Sequence, residues 1–409
     1  MTKNIWHQRN KKLSTIALSL VLWHSAGAVT LEEATALQRT LITLDTHLDT
    51  PANLLVPGFN ILERHSYGHD FTQVDVPRMK DGALDGGFWA IYTPQGELSK
   101  TGYEQSRDTA LLRALAIRTM VSANPDIFEF ATQASDAQEI KKQAKHIVYM
   151  SMENSYPLGT DISLLETFYK FGLRMAGPVH FKNNQFGDSS TDPSGSQWDG
   201  LSPLGEELVA EANRLGIVLD GSHAHDETVK DMIRLSKTPI ILSHTGCKAI
   251  YDHPRNIDDA LLKQLAASGG VIQMNAYSEY LEALPVDPAR QAAVKGLMAL
   301  YKQGSDHDVL LEKRREIEHE HPAVKASFDV YMQHFLHALK IVGPKHVGIG
   351  ADWDGGGGVN EMMDVVNLPM ITQRLLKEGY SKDDLVDIWG ANALRVLQQA
   401  QDYAASVKK

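Results

Sequence analysis

The chain has 409 residues, of which 43% are hydrophobic and 22% charged, and its formal charge is −11. Such a balance belongs to a globular protein with a large core and excludes an intrinsically disordered chain. The acidic total, with no long Lys/Arg run, argues against a nucleic-acid surface.

In chain order, the first segment is MTKNIWHQRNKKLSTIALSLVLWHSAGAVT. It carries cations at Arg9, Lys11 and Lys12, then an apolar run from Leu13 to Trp23, then Ala26, Gly27 and Ala28. This is the order of a secretory signal peptide with cleavage expected after Ala28, and the run is shorter than a bilayer span requires. No cysteine lies near the cut to carry a lipid, and the C-terminal QDYAASVKK lacks the hydrophobic tail of an anchor signal. The expectation is an exported protein, periplasmic or secreted, without a stable membrane anchor. Cys247 is the only cysteine. It rules out an intrachain disulfide and reads as a small packing residue rather than a nucleophile or ligand.

From residue 29 onward, strand-like runs alternate with helical ones. Apolar runs at 41–46, 87–92, 146–151, 173–179, 217–220, 240–243, 271–275 and 346–351 predict eight strands. Apolar residues spaced by three and four predict amphipathic helices over 105–122, 163–171, 204–215, 258–267 and 328–341. Repeated βα units call for a parallel sheet, and eight of them predict a closed (β/α)8 TIM barrel that occupies residues 29–409 as one domain. Residues 183–198, rich in Gly and Ser, predict a long loop, while 277–326, charged and helical in pattern, predict a helical insertion. The Glu-His-Glu-His run at 318–321 falls in that charged helix and reads as a solvated face, not as a metal site.

Residues with ligand chemistry gather where these strands finish, the end at which barrel enzymes build their sites. LDTHLDTP presents His47 and Asp49, which alternation along an extended segment puts on one side. YMSMEN presents Glu153, AGPVH presents His180, and two Ser-His endings present His223 and His244. GIGADWDGG presents Asp352 and Asp354. On this reading His223 and His244 share one metal while His47 and Asp49 hold another. Imidazole with carboxylate suits zinc, with manganese, cobalt and iron as alternatives. His225 competes with His223, and Asp354 with Asp352.

HLD after the first strand, VDVPRMKDGALDGGFWAIY at 74–92, Glu153, FYKFGLRMAGPVH at 168–180 and GLSPLGEELVAEANRLGIVLDGSH at 200–223 together resemble the membrane (renal-type) dipeptidase family of metallopeptidases, in the amidohydrolase superfamily. SHTGCKAIYDHPRNIDD at 243–259, VGIGADWDG at 347–355 and GANALRVL at 390–397 extend the likeness over nearly all of residues 40–400. The resemblance implies a (β/α)8 barrel with two zinc ions and a dipeptide substrate attacked by a metal-bridging hydroxide. It further implies that His47 and Asp49 bind the first zinc, His223 and His244 the second, and Glu153 both. His180 would contact the scissile carbonyl oxygen, Arg255 the substrate carboxylate, and Asp352 the transferred proton. Two small departures, Trp353 where the family usually has Phe and a small Gly221 before Ser222-His223, remove no ligand.

Two other functions stay open at this level. Another amidohydrolase-type hydrolase, acting on a different amide or a lactone, would share barrel and metals, and Arg255 is the residue that separates it from a dipeptidase. A non-catalytic metal-binding protein would need the ligands but neither a proton shuttle at Asp352 nor an oxyanion donor at His180. The resemblance also leaves a homodimer open.

Overall fold

The computed structural model describes residues 29–407. The expected signal peptide, residues 1–28, lies outside them. No helix among the described residues is long and apolar enough to cross a membrane.

Nine strands are present among the described residues: β1 (Leu44–Leu48), β2 (Gly86–Ile91), β3 (Phe128–Phe130), β4 (His146–Met152), β5 (Leu173–Ala176), β6 (Val218–Leu219), β7 (Ile241–Thr245), β8 (Val271–Met274) and β9 (Val347–Ile349). Their ladders run β1-β2-β4-β5-β6 and β7-β8-β9, every pairing parallel. Single parallel bridges, Asp220 to Ile241 and Leu48 to Trp353, join the two sheets at both ends. The result is a ring of eight strands, the (β/α)8 barrel. β3 stands outside the ring against the start of β4, and the sequence reading misses it because three residues are too few to show a period. Elsewhere the predicted strands shift by a few residues at their ends, most of all at 41–46, where β1 begins at Leu44.

Barrel strands are buried on both faces, so they read as continuous apolar runs rather than alternating ones. One cluster of inward side chains contains Leu44, Phe88, Tyr149, Met175, Val218, Ile241 and Val271, one from each of seven ring strands, packed with Val396, Leu397 and Ala400 of the C-terminal helix Asn392–Val407. That helix plugs the end of the barrel where the strands begin. Burying each such side chain is worth about 1.5–3 kcal/mol, so the closed end is a rigid base for whatever the open end carries.

The outer helices obey ordinary punctuation. Pro203–Leu215 starts with Ser202 accepting from the amide of Gly205, has Pro203 in the first turn where no N–H is missed, and ends at Gly216 with φ of 84°. Its buried face is Leu208, Val209, Ala212 and Leu215. Residues 183–198 hold no helix or strand, but this loop is anchored: the Asp188 carboxylate accepts from the amides of Gln197 and Trp198 at 2.8 and 2.9 Å. After β8 come the helices Ser278–Leu281, Pro288–Lys302 and His307–Glu320. There Glu318 pairs with Arg290 and His321 with Asp287. Cys247 is fully buried, and burial pushes its thiol up to about 12, which leaves it unreactive.

Candidate active site

The ring strands finish on one rim, and the side chains singled out from the sequence meet there. His47 lies within β1 and His244 within β7, Asp49 and Glu153 directly follow β1 and β4, and His180, His223 and Asp352 stand in the loops after β5, β6 and β9. All seven are buried. Oε1 of Glu153 is their centre, with Nε2 of His223 at 3.1 Å, of His180 at 3.3 Å, of His244 at 3.6 Å and of His47 at 3.7 Å. Nε2 of His47 is also 3.3 Å from Oδ2 of Asp49. Three overlapping groups have ligand atoms within 4.8 Å of one another: His47, Glu153 and His244; Glu153, His180 and His223; His47, Asp49 and Asp352.

Charge in this cluster is strongly coupled. Burial pushes the Glu153 carboxyl up, but the charges of His180 and His47 and hydrogen bonds from His180 and His223 outweigh it and hold Glu153 well below the usual range. Burial opposes a charged His47, yet Asp49 and Glu153 draw that ring up to about 10. Burial, with the positive charge of Arg255, keeps His223 well below the ordinary imidazole value, and burial with His47 and Arg255 does the same for His244. Burial pushes the Asp352 carboxyl up to about 8, with Asp49 and Glu153 adding to it and His47 and Arg255 opposing. A proton on His47 thus balances the carboxylates, a task that a divalent cation performs equally well.

The donor set fits such a cation. Ser243 Oγ donates to Asp220 Oδ2 at 2.5 Å, so its free lone pair takes the N–H of His244 Nδ1 at 2.8 Å. Nε2 of His244 is then left as an unprotonated electron pair facing Glu153, the form in which imidazole binds metal. The backbone is bent to serve the cluster: His223 and Asp352 have φ of 66° and 63°, a region that ordinary residues avoid. Gly355 has no side chain for a related reason, since a Cβ there would stand 2.1 Å from Asp49 Oδ2 and 2.2 Å from Asp352 Oδ1.

The two competitors are occupied elsewhere. His225 caps the helix Asp226–Leu235, its Nδ1 accepting from the amide of Glu227. Asp354 accepts from Thr50 Oγ1 at 2.6 Å and from the amide of Gln73 at 2.7 Å, one bond to each oxygen. No hydrogen bond reaches the carboxylate of Asp352 among the described residues.

Arg255, in the loop after β7, is 3% exposed. One of its terminal nitrogens donates to the carbonyl of His244 at 3.0 Å, its guanidinium lies 5.3 Å over the Tyr280 ring, and Nε is buried without a partner. No carboxylate among the described residues forms an ion pair with it; Asp258 instead caps the helix Asp259–Ala267, and Asp259 pairs with His337 at 2.7 Å. A buried cation with unused donors is a site for an anion. Aromatic rings line the approach: Tyr92 and Phe181 against His180 at 5.0 and 3.8 Å, and Tyr277 stacked on Tyr280 at 4.4 Å. Beside them a cavity of about 770 Å³, lined in part by Tyr251, His253, Tyr277 and Gly356, opens under the helices that follow β8. Sequence reasoning does not find Tyr280, because it belongs to a segment whose pattern shows only charge and helix.

The family model of the membrane dipeptidases, peptidase family M19, matches residues 31–409. Dipeptidase aclJ of Aspergillus oryzae is 28% identical over 358 residues, which cover 84% of this chain and 76% of that protein. Dipeptidase 3 of Rattus norvegicus is 26% identical over 376 residues, covering 90% and 67%. Among solved structures, the probable dipeptidase PvdM from Pseudomonas aeruginosa matches with a TM-score of 0.78 and 26% identity, over 91% of this chain and 98% of that one. A metallopeptidase from Rhodobacter sphaeroides, solved with a phosphinate mimic of the dipeptide L-Ala-D-Ala, matches with a TM-score of 0.71 and 25% identity, over 88% and 99%. With the family pattern running from the first described helix to the last residue, and with a barrel of the same shape beneath it, the chain belongs to the membrane dipeptidase family of metallopeptidases, peptidase family M19.

Proposed function

We propose that this family member is an exported two-zinc dipeptidase that hydrolyses the peptide bond of free dipeptides. The observation that carries the reading is the convergence of four imidazole nitrogens on one carboxylate oxygen of Glu153. His47 and Asp49 would hold one zinc, His223 and His244 the other, and Glu153 both. Bound zinc supplies a Lewis acid for the scissile carbonyl and brings the ionisation of water to near neutral pH.

The side chains do the rest. Arg255 takes the terminal carboxylate of the substrate, and the fixed distance from its guanidinium to Glu153 makes it a ruler that admits dipeptides and excludes longer chains. His180 donates to the carbonyl oxygen as negative charge develops there. Two cations beside it would hold Asp352 ionised, and with its oxygens free it takes a proton from the attacking water as the C–O bond forms, then delivers it to the amine as the C–N bond breaks. A hydrolase of another amide or a lactone has no use for a buried guanidinium lacking a carboxylate, so Arg255 favours the dipeptide. The test is a screen of zinc-loaded protein against dipeptides, including L,D pairs, alongside N-acyl amides and lactones, with product release as the readout. Turnover of the amides or lactones, with every dipeptide untouched, would overturn the proposal.

A further inference from the structure

The ring closes at two seams, β9 to β1 and β6 to β7, where the regular ladder gives way to a single bridge. At one, the amide of Asp49 donates to the carbonyl of Trp353 at 2.9 Å; at the other, the amide of Gly221 donates to the carbonyl of Ile241 at 2.8 Å. Each seam is also crossed by a buried carboxylate. Asp45 accepts from the amide of His47 at 2.9 Å with one oxygen and from the amide of Ala351 across the seam at 3.0 Å with the other. Asp220 accepts from the amide of Ser222 at 3.0 Å and from the amide of Ser243 across the seam at 2.9 Å, while its second oxygen takes the Ser243 hydroxyl. The arrangement is the same at both: an aspartate, the second residue of β1 or the residue directly after β6, holds the amide two residues on and an amide from across the seam.

The proposed ligand pairs stand at these seams and nowhere else. His47 and Asp49 follow Asp45, with Asp352 directly after Ala351; His223 follows Asp220, and His244 follows Ser243. Neither aspartate belongs to a ligand group or forms an ion pair among the described residues. Burying a carboxylate without a counter-cation is unfavourable, and the β7 to β8 contact shows that a ring junction can be made by backbone bonds alone. We infer that Asp45 and Asp220 are positioning residues, each tying one pair of metal-ligand side chains to its seam, and that Asp220 acts through Ser243 to keep the His244 proton on Nδ1. The inference rests on the two-zinc reading above.

Asp220→Asn provides the sharpest test, because its single oxygen can still accept the two amides while its NH2 must now donate to Ser243. The Ser243 hydroxyl then turns its hydrogen to Nδ1 of His244, and the ring proton moves to Nε2, where metal should bind. Zinc titration of the full chain against a chromophoric chelator is expected to show two sites in the parent and a loss of roughly 10- to 100-fold at one site in Asp220→Asn, the scale seen when such supporting partners are removed. Ring ¹⁵N shifts of the metal-free protein should report the moved proton. Adding Ser243→Ala to Asp220→Asn removes the wrong donor and should regain affinity, while Asp45→Asn should weaken the other site. A parent that binds fewer than two zinc ions would count against the two-zinc reading itself. Two ions in the parent, with unchanged affinities in both single variants, or with both sites weakened together in step with a lower Tm, would overturn the inference.

Discussion

Nε2 of His223 stands 2.9 Å from Nε2 of His244. Burial keeps both rings from carrying a charge, and the Nε2 proton that His223 directs at Glu153 is the one a shared cation would displace. A chelator should therefore abolish hydrolysis and lower Tm, and zinc should restore both. Zinc in thousandfold excess over its Kd adds about 4 kcal/mol to the folded state. Metal analysis finding a single ion at full activity would exclude the bridging role of Glu153.

Asp352→Asn keeps the shape of the side chain and removes its acid–base chemistry. Turnover should fall by roughly 10²- to 10⁴-fold, with metal content near that of the parent. Asp354→Asn should behave differently. Its oxygens hold Thr50 and the Gln73 amide, so the loss should appear in Tm by about 1–3 kcal/mol of stability, with kcat the lesser effect. Reversed results would mean that the proton carrier is Asp354.

Arg255→Ala should lose roughly 30- to several-thousand-fold in kcat/KM on free dipeptides, as expected when one partner of a buried charge pair is removed. Dipeptide amides lack the carboxylate, so they should be poor substrates of the parent and change little in the variant. Steady-state kinetics on acid and amide pairs would decide this, since equal losses on both would assign Arg255 to the fold.

Two histidines outside the cluster predict how stability depends on pH. Burial lowers His146 and His334 from the ordinary 6.5 to about 4, and His334 is fixed neutral between the amide of Cys247 and the carbonyl of Leu281. Between pH 4 and 6.5 these two rings take up protons in the unfolded chain and refuse them in the folded one, so their contribution to stability is complete above 6.5 and falls as pH drops through that window, while the raised carboxyls of Asp45, Asp352 and Asp354 act in the opposite direction. Each ring contributes on the order of 3 kcal/mol at most. Denaturant titrations of metal-free parent and His334→Gln at pH 7.5, 5.5 and 4.5 should show the stability of the parent relative to the variant falling as pH drops. A difference between parent and variant that does not change with pH would mean that this ring charges without cost.

The order of apolar runs in the sequence is enough to specify the barrel, because a parallel strand buried on both faces leaves an uninterrupted run and a polar residue at its end stands out. The ligand chemistry of His47, Asp49, Glu153, His180, His223, His244 and Asp352 is legible for that reason. What spacing alone leaves undecided is His223 against His225 and Asp352 against Asp354, since period-two alternation stops where φ turns positive, and only the folded loops send one of each pair to the cluster and the other to a helix cap or to Thr50 and Gln73. Other features are hidden for reasons of their own: β3 is too short to show a period, Tyr280 beneath Arg255 lies in a segment patterned only as charged helix, and the two seams exist only once the ring closes. Asp45 and Asp220 look like ordinary aspartates in or beside a strand in one dimension; the role proposed for them depends on amides from across a seam, Ala351 and Ser243, which only ring closure brings within hydrogen-bonding distance.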